Sequence, residues 1–233
     1  MFYEKFGLQF DHVELSTRPE KRIGDEKLWD KAEKALESVL KKKKMKYKIN
    51  KGDGAFYGPK IDFHLKDSQE RTWQCSTVQL DFAMPGRFEL EYAGSDNRKK
   101  TPVIIHRVIY GSLERFIGIL IEDKNGRFPT WLSPIQVRVL SFTERNVDYA
   151  KKIIGEIGKK IPNLRLDADF RNDTVQGKVK EAEMMRIPYI IVVGDKEKKE
   201  KTLAVRIKGN PKIEKFTTDE FCIRLEKEIE GKK

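Results

Sequence analysis

GAFYGPKIDFHLKD (Gly54–Asp67) and RTWQCSTVQLDFAMPGR (Arg71–Arg87) interleave Lys60, Gln74, Thr77 and Gln79 with apolar residues at the period of a strand. Side chains two apart on a strand share a face, so Thr77 and Gln79 point the same way. Polar groups gathered on one face of a sheet suit a small polar ligand and a phosphate. The pattern predicts two neighbouring strands, Ile61–Leu65 and Trp73–Phe82.

Outward from there the alternation continues. Leu8–Leu15 reads as a strand whose phase slips at Asp11–His12, the mark of a bulge. Asp25–Lys44 carries Leu28, Ala32, Ala35, Leu36, Val39 and Leu40 at helical spacing, and a run of lysines closes it favourably for the helix dipole. Phe88, Leu90 and Tyr92 predict a third strand of an antiparallel meander, and Val103–Ile109 a further one. Gly111-Ser112 then opens an apolar-faced helix with Ser112 as N-cap.

FPTWLSP is a Pro-bounded connection that sets a domain boundary at residues 132/133. Beyond it strands and helices alternate, which predicts a small α/β domain with a mixed sheet and three helices. Thr217 and Glu220 form a capping box for the last of these.

The chain has 233 residues, enough for two cores, with 38% hydrophobic and 36% charged residues. No apolar run is long enough to span a bilayer, and the start gives no sign of a secretory leader. Cys75 and Cys222 are too few for a disulfide framework, so the expected setting is a reducing cytoplasm. The net charge of +11 is spread over both halves. A lysine- and glutamate-rich surface would account for it, and so would a polyanion such as nucleic acid that touches both.

ELSTRPEKRIG, GDGAFYGPKIDF, WQCSTVQLDF, PVIIHRVIYGSLERFIGILIE, ADFRNDTVQGKVKEAE, IPYIIVVGDKE and AVRIKG appear in this order, and together they resemble the threonyl-tRNA synthetases, which are class II aminoacyl-tRNA synthetases. The resemblance covers almost the whole chain. It implies that residues 1–132 are the later part of a class II catalytic domain, an α+β unit around an antiparallel sheet, and residues 133–233 an anticodon-binding domain. The implied reaction is ATP-dependent formation of threonyl-adenylate followed by charging of threonine tRNA. A non-catalytic tRNA-binding module that uses the second domain is the alternative.

The resemblance also implies roles. Arg115 contacts the ATP γ-phosphate, where a planar, permanently charged fork suits phosphate oxygens. Lys60 supports adenylate formation, and Gln74 contacts ATP, which brings magnesium with it. Tyr57, Thr77 and Gln79 wall the threonine pocket. His106 is one of three protein ligands of a zinc ion whose open positions take threonine's amino and hydroxyl groups. Such a site solves a selection problem, because an apolar pocket separates threonine from valine only about a hundredfold. In the second domain Asn172, Lys180, Glu197 and Arg206 read the anticodon loop.

Two of the three class II motifs, the other zinc ligands and an editing domain have no counterpart among these residues. The implied enzyme therefore needs an upstream catalytic half, and a homodimer is expected of the complete protein.

Overall fold

The structure, a computed structural model, describes residues 2–232 and divides into two compact units between Asp123 and Lys124. The first unit contains β1 (Gln9–Ser16), α1 (Glu26–Lys42), β2 (Lys48–Asn50), β3 (Lys60–Lys66), β4 (Thr72–Asp81), α2 (Met84–Arg87), β5 (Tyr92–Ala93), β6 (Lys99–Lys100), β7 (Ile104–Val108) and α3 (Leu113–Lys124). Its sheet runs β2-β1-β3-β4-β7, antiparallel except for the β1–β2 pair. The expected bulge is present, between Phe10 and Val13 of β1.

One face of this sheet is apolar. Val13, Leu15 and Ile61 pack with Leu36 and Leu40 of α1. The helix buries Trp29, Ala32, Leu36 and Leu40, while Val39 stays exposed, so its core stripe is rotated from the expected one toward Trp29. Asp25 caps α1 by accepting from the Leu28 amide at 2.8 Å. The other face is the polar one, and α1 does not cover it.

The expected third strand at Phe88–Tyr92 does not join the sheet. Asp81 Oδ1 accepts from the Ala83 and Met84 amides at 2.9 and 3.0 Å, which turns the chain into α2. Pro85 lacks the N–H that a ladder needs. Phe88 and Leu90 are left exposed, and Tyr92–Ala93 pairs with Lys99–Lys100 in a separate ribbon. β7 takes the vacated place beside β4.

The second unit contains β8 (Val137–Ser141), α4 (Val147–Lys160), β9 (Leu166–Asp169), α5 (Val175–Met184), β10 (Tyr189–Val193), α6 (Asp195–Glu200), β11 (Leu203–Ile207), β12 (Ile213–Phe216) and α7 (Thr218–Glu230). Its sheet order is β12-β11-β10-β8-β9, parallel from β10 to β9 and antiparallel from β10 to β12. Helices α4 and α7 fill one face around Ile153, Phe221 and Leu225, and α5 fills the other around Val179 and Ala182. β8 and β10 are buried on both sides, which explains the unbroken apolar run of β10, while β8 also buries Arg138, whose Nε donates to Asp167 at 3.0 Å. The Thr217–Glu220 capping box is formed. α6 and β12 exceed the expected three-helix pattern; a six-residue charged turn and a four-residue edge strand carry little periodicity.

From Lys124, the last residue of α3, the chain belongs to the second unit, ahead of the expected boundary at Ser133. Its backbone is tied there: Lys208 Nζ donates to the Phe128 carbonyl at 2.5 Å, Gln136 Nε2 to Thr130 at 3.0 Å and Arg165 to Trp131 at 2.8 Å.

Candidate functional site

Register across the first sheet sets the polar face in rows. Ser16, Lys60, Gln79 and His106 are directly paired neighbours on β1, β3, β4 and β7. Glu14, Asp62, Thr77 and Val108 form the next row. Strict alternation would send Gln74 to the opposite face from Thr77. The pairing shifts between Phe63 and His64, so that Cys75 is the extra residue and Gln74 returns to the polar face. Gly111, at φ 71°, permits this crowding: a Cβ there would lie 2.5 Å from the Cys75 carbonyl oxygen.

Tyr57, Lys60, Gln74, Thr77, Gln79 and His106 thus line one cleft of about 510 Å³, with Ala55 and Arg107 at its edge. Tyr57 reaches it because the Gly54–Pro59 loop lies against the end of β4. A Cβ on Gly58 would sit 1.8 Å from the Leu80 carbonyl oxygen, so only glycine fits. The Tyr57 hydroxyl then donates to Gln79 Oε1 at 3.2 Å, leaving the amide nitrogen of Gln79 for a ligand.

Sequence reasoning passed over the hub of this cleft, Asp62, which is 1% exposed. Its Oδ1 accepts from Thr77 at 2.7 Å and Gln74 Nε2 at 2.6 Å; its Oδ2 accepts from Ser16 at 2.8 Å and lies 2.9 Å from Lys60 Nζ. The period-two signal from Lys60 to Asp62 to His64 was available in the sequence. Burial alone would lower the pKa of Lys60, but Asp62 and Asp53 outweigh it, and the ammonium is held more firmly protonated than usual.

His106 has a second overlooked partner. Its Nε2 lies 2.9 Å from Asp81 Oδ2, a carboxylate that is 1% exposed. Burial would raise the Asp81 pKa; hydrogen bonds from His106, Met84 and Ala83 bring it below the usual range. An imidazole anchored on one nitrogen by a buried carboxylate presents the other in a fixed direction, the arrangement of ligating histidines. Arg115 is not among the lining residues. Ser112 Oγ accepts from its amide at 3.3 Å, and its guanidinium lies 3.4 Å from the Gln74 carbonyl and 5.6 Å from the Trp73 ring.

In the second unit Lys180, Glu197 and Arg206 line a cavity of about 690 Å³. Its floor is Phe142, Val179, Val192 and Ala204, and its rim carries Arg145 and Asp195, neither of them singled out from the sequence. Asn172 does not line it and stands exposed in the loop between β9 and α5. Glu197 is partly committed, accepting from the Gly194 amide at 3.0 Å as part of the α6 cap.

Residues 1–124 match the family described as the tRNA synthetase class II core domain (G, H, P, S and T), and residues 136–228 match the anticodon binding domain. The chain is 50% identical over 231 residues to the threonine–tRNA ligase of Syntrophomonas wolfei, covering 99% of this chain and 36% of that protein. It is 49% identical over 233 residues to the threonine–tRNA ligase of Desulforamulus reducens, with the same coverage. Among solved structures it is similar to the RNA binding domain of threonyl-tRNA synthetase from Cryptosporidium parvum. That match has 37% identity and a TM-score of 0.89, covering 97% of this chain and 57% of the other. The chain spans about a third of the length of the curated relatives it matches.

Proposed function

Because the chain belongs to the class II tRNA synthetases and carries an anticodon-binding domain, we propose that it forms part of a threonine–tRNA ligase, supplying one wall of the adenylation site and the anticodon-reading domain. The observation that carries this is the convergence of Tyr57, Lys60, Gln74, Thr77, Gln79 and His106 on one cleft. The remaining wall comes from an upstream catalytic half, and the complete enzyme works as a homodimer.

In this reading the threonine carboxylate oxygen attacks the ATP α-phosphorus, and the bond to the β-phosphate oxygen breaks to release pyrophosphate. Lys60 holds negative charge beside the reacting phosphate, its ammonium fixed by Asp62 and Asp53. Arg115 clamps the γ-phosphate from the first turn of α3, and magnesium accompanies the phosphates. Gln74 meets ATP; Tyr57, Thr77 and Gln79 hold threonine. His106, anchored on Asp81, is this chain's contribution to a zinc site. Zinc, when bound, supplies open positions that select an amino acid bearing a hydroxyl. Arg206, Glu197 and Asn172 contact anticodon bases, and Lys180 contacts phosphate.

ATP–pyrophosphate exchange with threonine, measured on the chain together with its upstream half, tests the proposal. Exchange should require threonine and fall at least about a hundredfold in Lys60→Ala. Exchange indifferent to Lys60 and Arg115 would overturn the assignment of the cleft. Absence of exchange, with binding of threonine tRNA intact, would favour the non-catalytic tRNA-binding module that the second cavity alone could serve.

A further inference from the structure

Beside the cleft, on the same polar face, lies a cluster that the adenylation reading does not use. The β1 bulge sets Asp11 and His12 opposite His64 of β3, while Glu14 follows two residues on. The His12 and His64 rings stack with centroids 4.4 Å apart and planes 6° from parallel. His12 Nε2 lies 3.0 Å from Glu14 Oε1, and His64 Nε2 lies 3.6 Å from Glu14 Oε2. One ligand atom from each of the three residues can be chosen so that all lie within 4.8 Å of one another.

Three features separate this cluster from an ordinary surface ion pair. Among the described residues, buried His64 Nε2 has no hydrogen-bond partner, which costs free energy unless something else occupies it. His12 Nδ1 lies 2.7 Å from Asp11 Oδ2, and that carboxylate is itself held by Thr72 Oγ1 at 2.8 Å. A carboxylate on Nδ1 holds the ring so that Nε2 faces Glu14, the orienting contact that ligating histidines receive. Asn50 Nδ2 steadies Glu14 by donating to Oε2 at 2.9 Å.

We propose that His12, Glu14 and His64 bind a single divalent transition-metal ion, with Asp11 as the positioning residue for His12. Ligand atoms on a tetrahedral ion at about 2.1 Å are roughly 3.4 Å apart. The histidine-to-Glu14 distances, 3.0 Å from His12 to Oε1 and 3.6 Å from His64 to Oε2, straddle that value, each ring meeting its own oxygen of the carboxylate. Closing the third edge, between the two Nε2 atoms, takes a rotation of the stacked rings. Two imidazoles and one carboxylate favour an ion of the zinc, cobalt or nickel type over magnesium or calcium. The site is separate from His106, which lies on β7, and it does not rest on the aminoacylation reading.

The probe is Co²⁺, titrated into the metal-free full chain and followed by calorimetry and visible absorption, with anomalous diffraction to locate the ion. One equivalent should bind between His12, Glu14 and His64. His12→Gln and Glu14→Gln should each weaken it at least about tenfold, Asp11→Asn about tenfold, and His106→Asn should leave this equivalent unchanged. An affinity indifferent to both His12→Gln and Asp11→Asn, or an anomalous peak away from these residues, would overturn the proposal. Asp11 is a half-buried polar residue and the isosteric Asn keeps its shape, so its variant keeps the test open even if a ligand variant folds poorly.

Discussion

The cleft on the first sheet and the cavity beside α5 differ in how far their polar groups are already bonded to one another. In the cleft, Lys60, Gln74 and Thr77 all converge on buried Asp62, and Tyr57 is bonded to Gln79. In the cavity, Lys180 is exposed, Arg206 reaches Glu183 only at 3.9 Å, and Arg145 pairs with Asp195 at the exposed rim. A preorganised cleft suits a small ligand whose reacting atoms must be held in register. Loosely tied charges over an apolar floor suit unstacked bases, which bring their own order on binding.

The largest test of this contrast removes the hub. Asp62→Ala leaves the Lys60 ammonium and three polar side chains without their shared acceptor, and should destabilise the first unit by about 3 kcal/mol in denaturant titrations. Glu183→Ala, which removes only the exposed 3.9 Å ion pair with Arg206 in the second unit, should cost less than about 1 kcal/mol. Equal losses from the two would erase the distinction.

Nucleic-acid binding probes the other side of it. Arg206→Ala should weaken threonine tRNA by about 1–3 kcal/mol, and only for transcripts with the native anticodon. Lys180→Ala should weaken all transcripts alike and lower the salt-dependence slope by about one. If the Arg206 effect survived anticodon replacement, the cavity would be a phosphate cradle.

How much of this was legible differs between the sites for physical reasons. Lys60, Thr77 and Gln79 follow from strand alternation, and the Thr217–Glu220 box from local capping chemistry. Gln74 reaches the cleft through a bulge that strict alternation cannot anticipate. Asp62 and Asp81 sit in the motifs but look like ordinary strand carboxylates until pairing reveals what they hold. The failed strand at Phe88–Tyr92 shows the reverse case: its alternation was real, but Pro85 and the Asp81 turn decided against the sheet. Asn172 lies in the loop between β9 and α5 and does not line the cavity that Arg206 lines; loop placement leaves no periodic trace.

The smallest expected effect concerns acid, and it asks whether each unit carries its own sensitivity. Burial alone would raise the pKa of Asp67. Hydrogen bonds from Trp73 Nε1 at 2.8 Å, Arg71 Nε at 2.6 Å and the Arg71 and Gln69 amides hold it far below the usual carboxylate range. In the second unit the Arg171 guanidinium, at 2.6 and 3.0 Å, lowers Asp169. Both carboxyls bind a proton more weakly folded than unfolded. Their stabilisation is therefore complete above the ordinary carboxylate pKa of about 4 and is lost as pH falls through the depressed folded values. Amide exchange measured from neutral pH down into that range should show Asp67→Asn flattening the pH dependence in β3 and β4 while leaving β9 and α5 unchanged. Asp169→Asn should do the opposite. A variant that flattened both units together would show that the two scaffolds lose their structure as one, and their sites could no longer be treated as independently built.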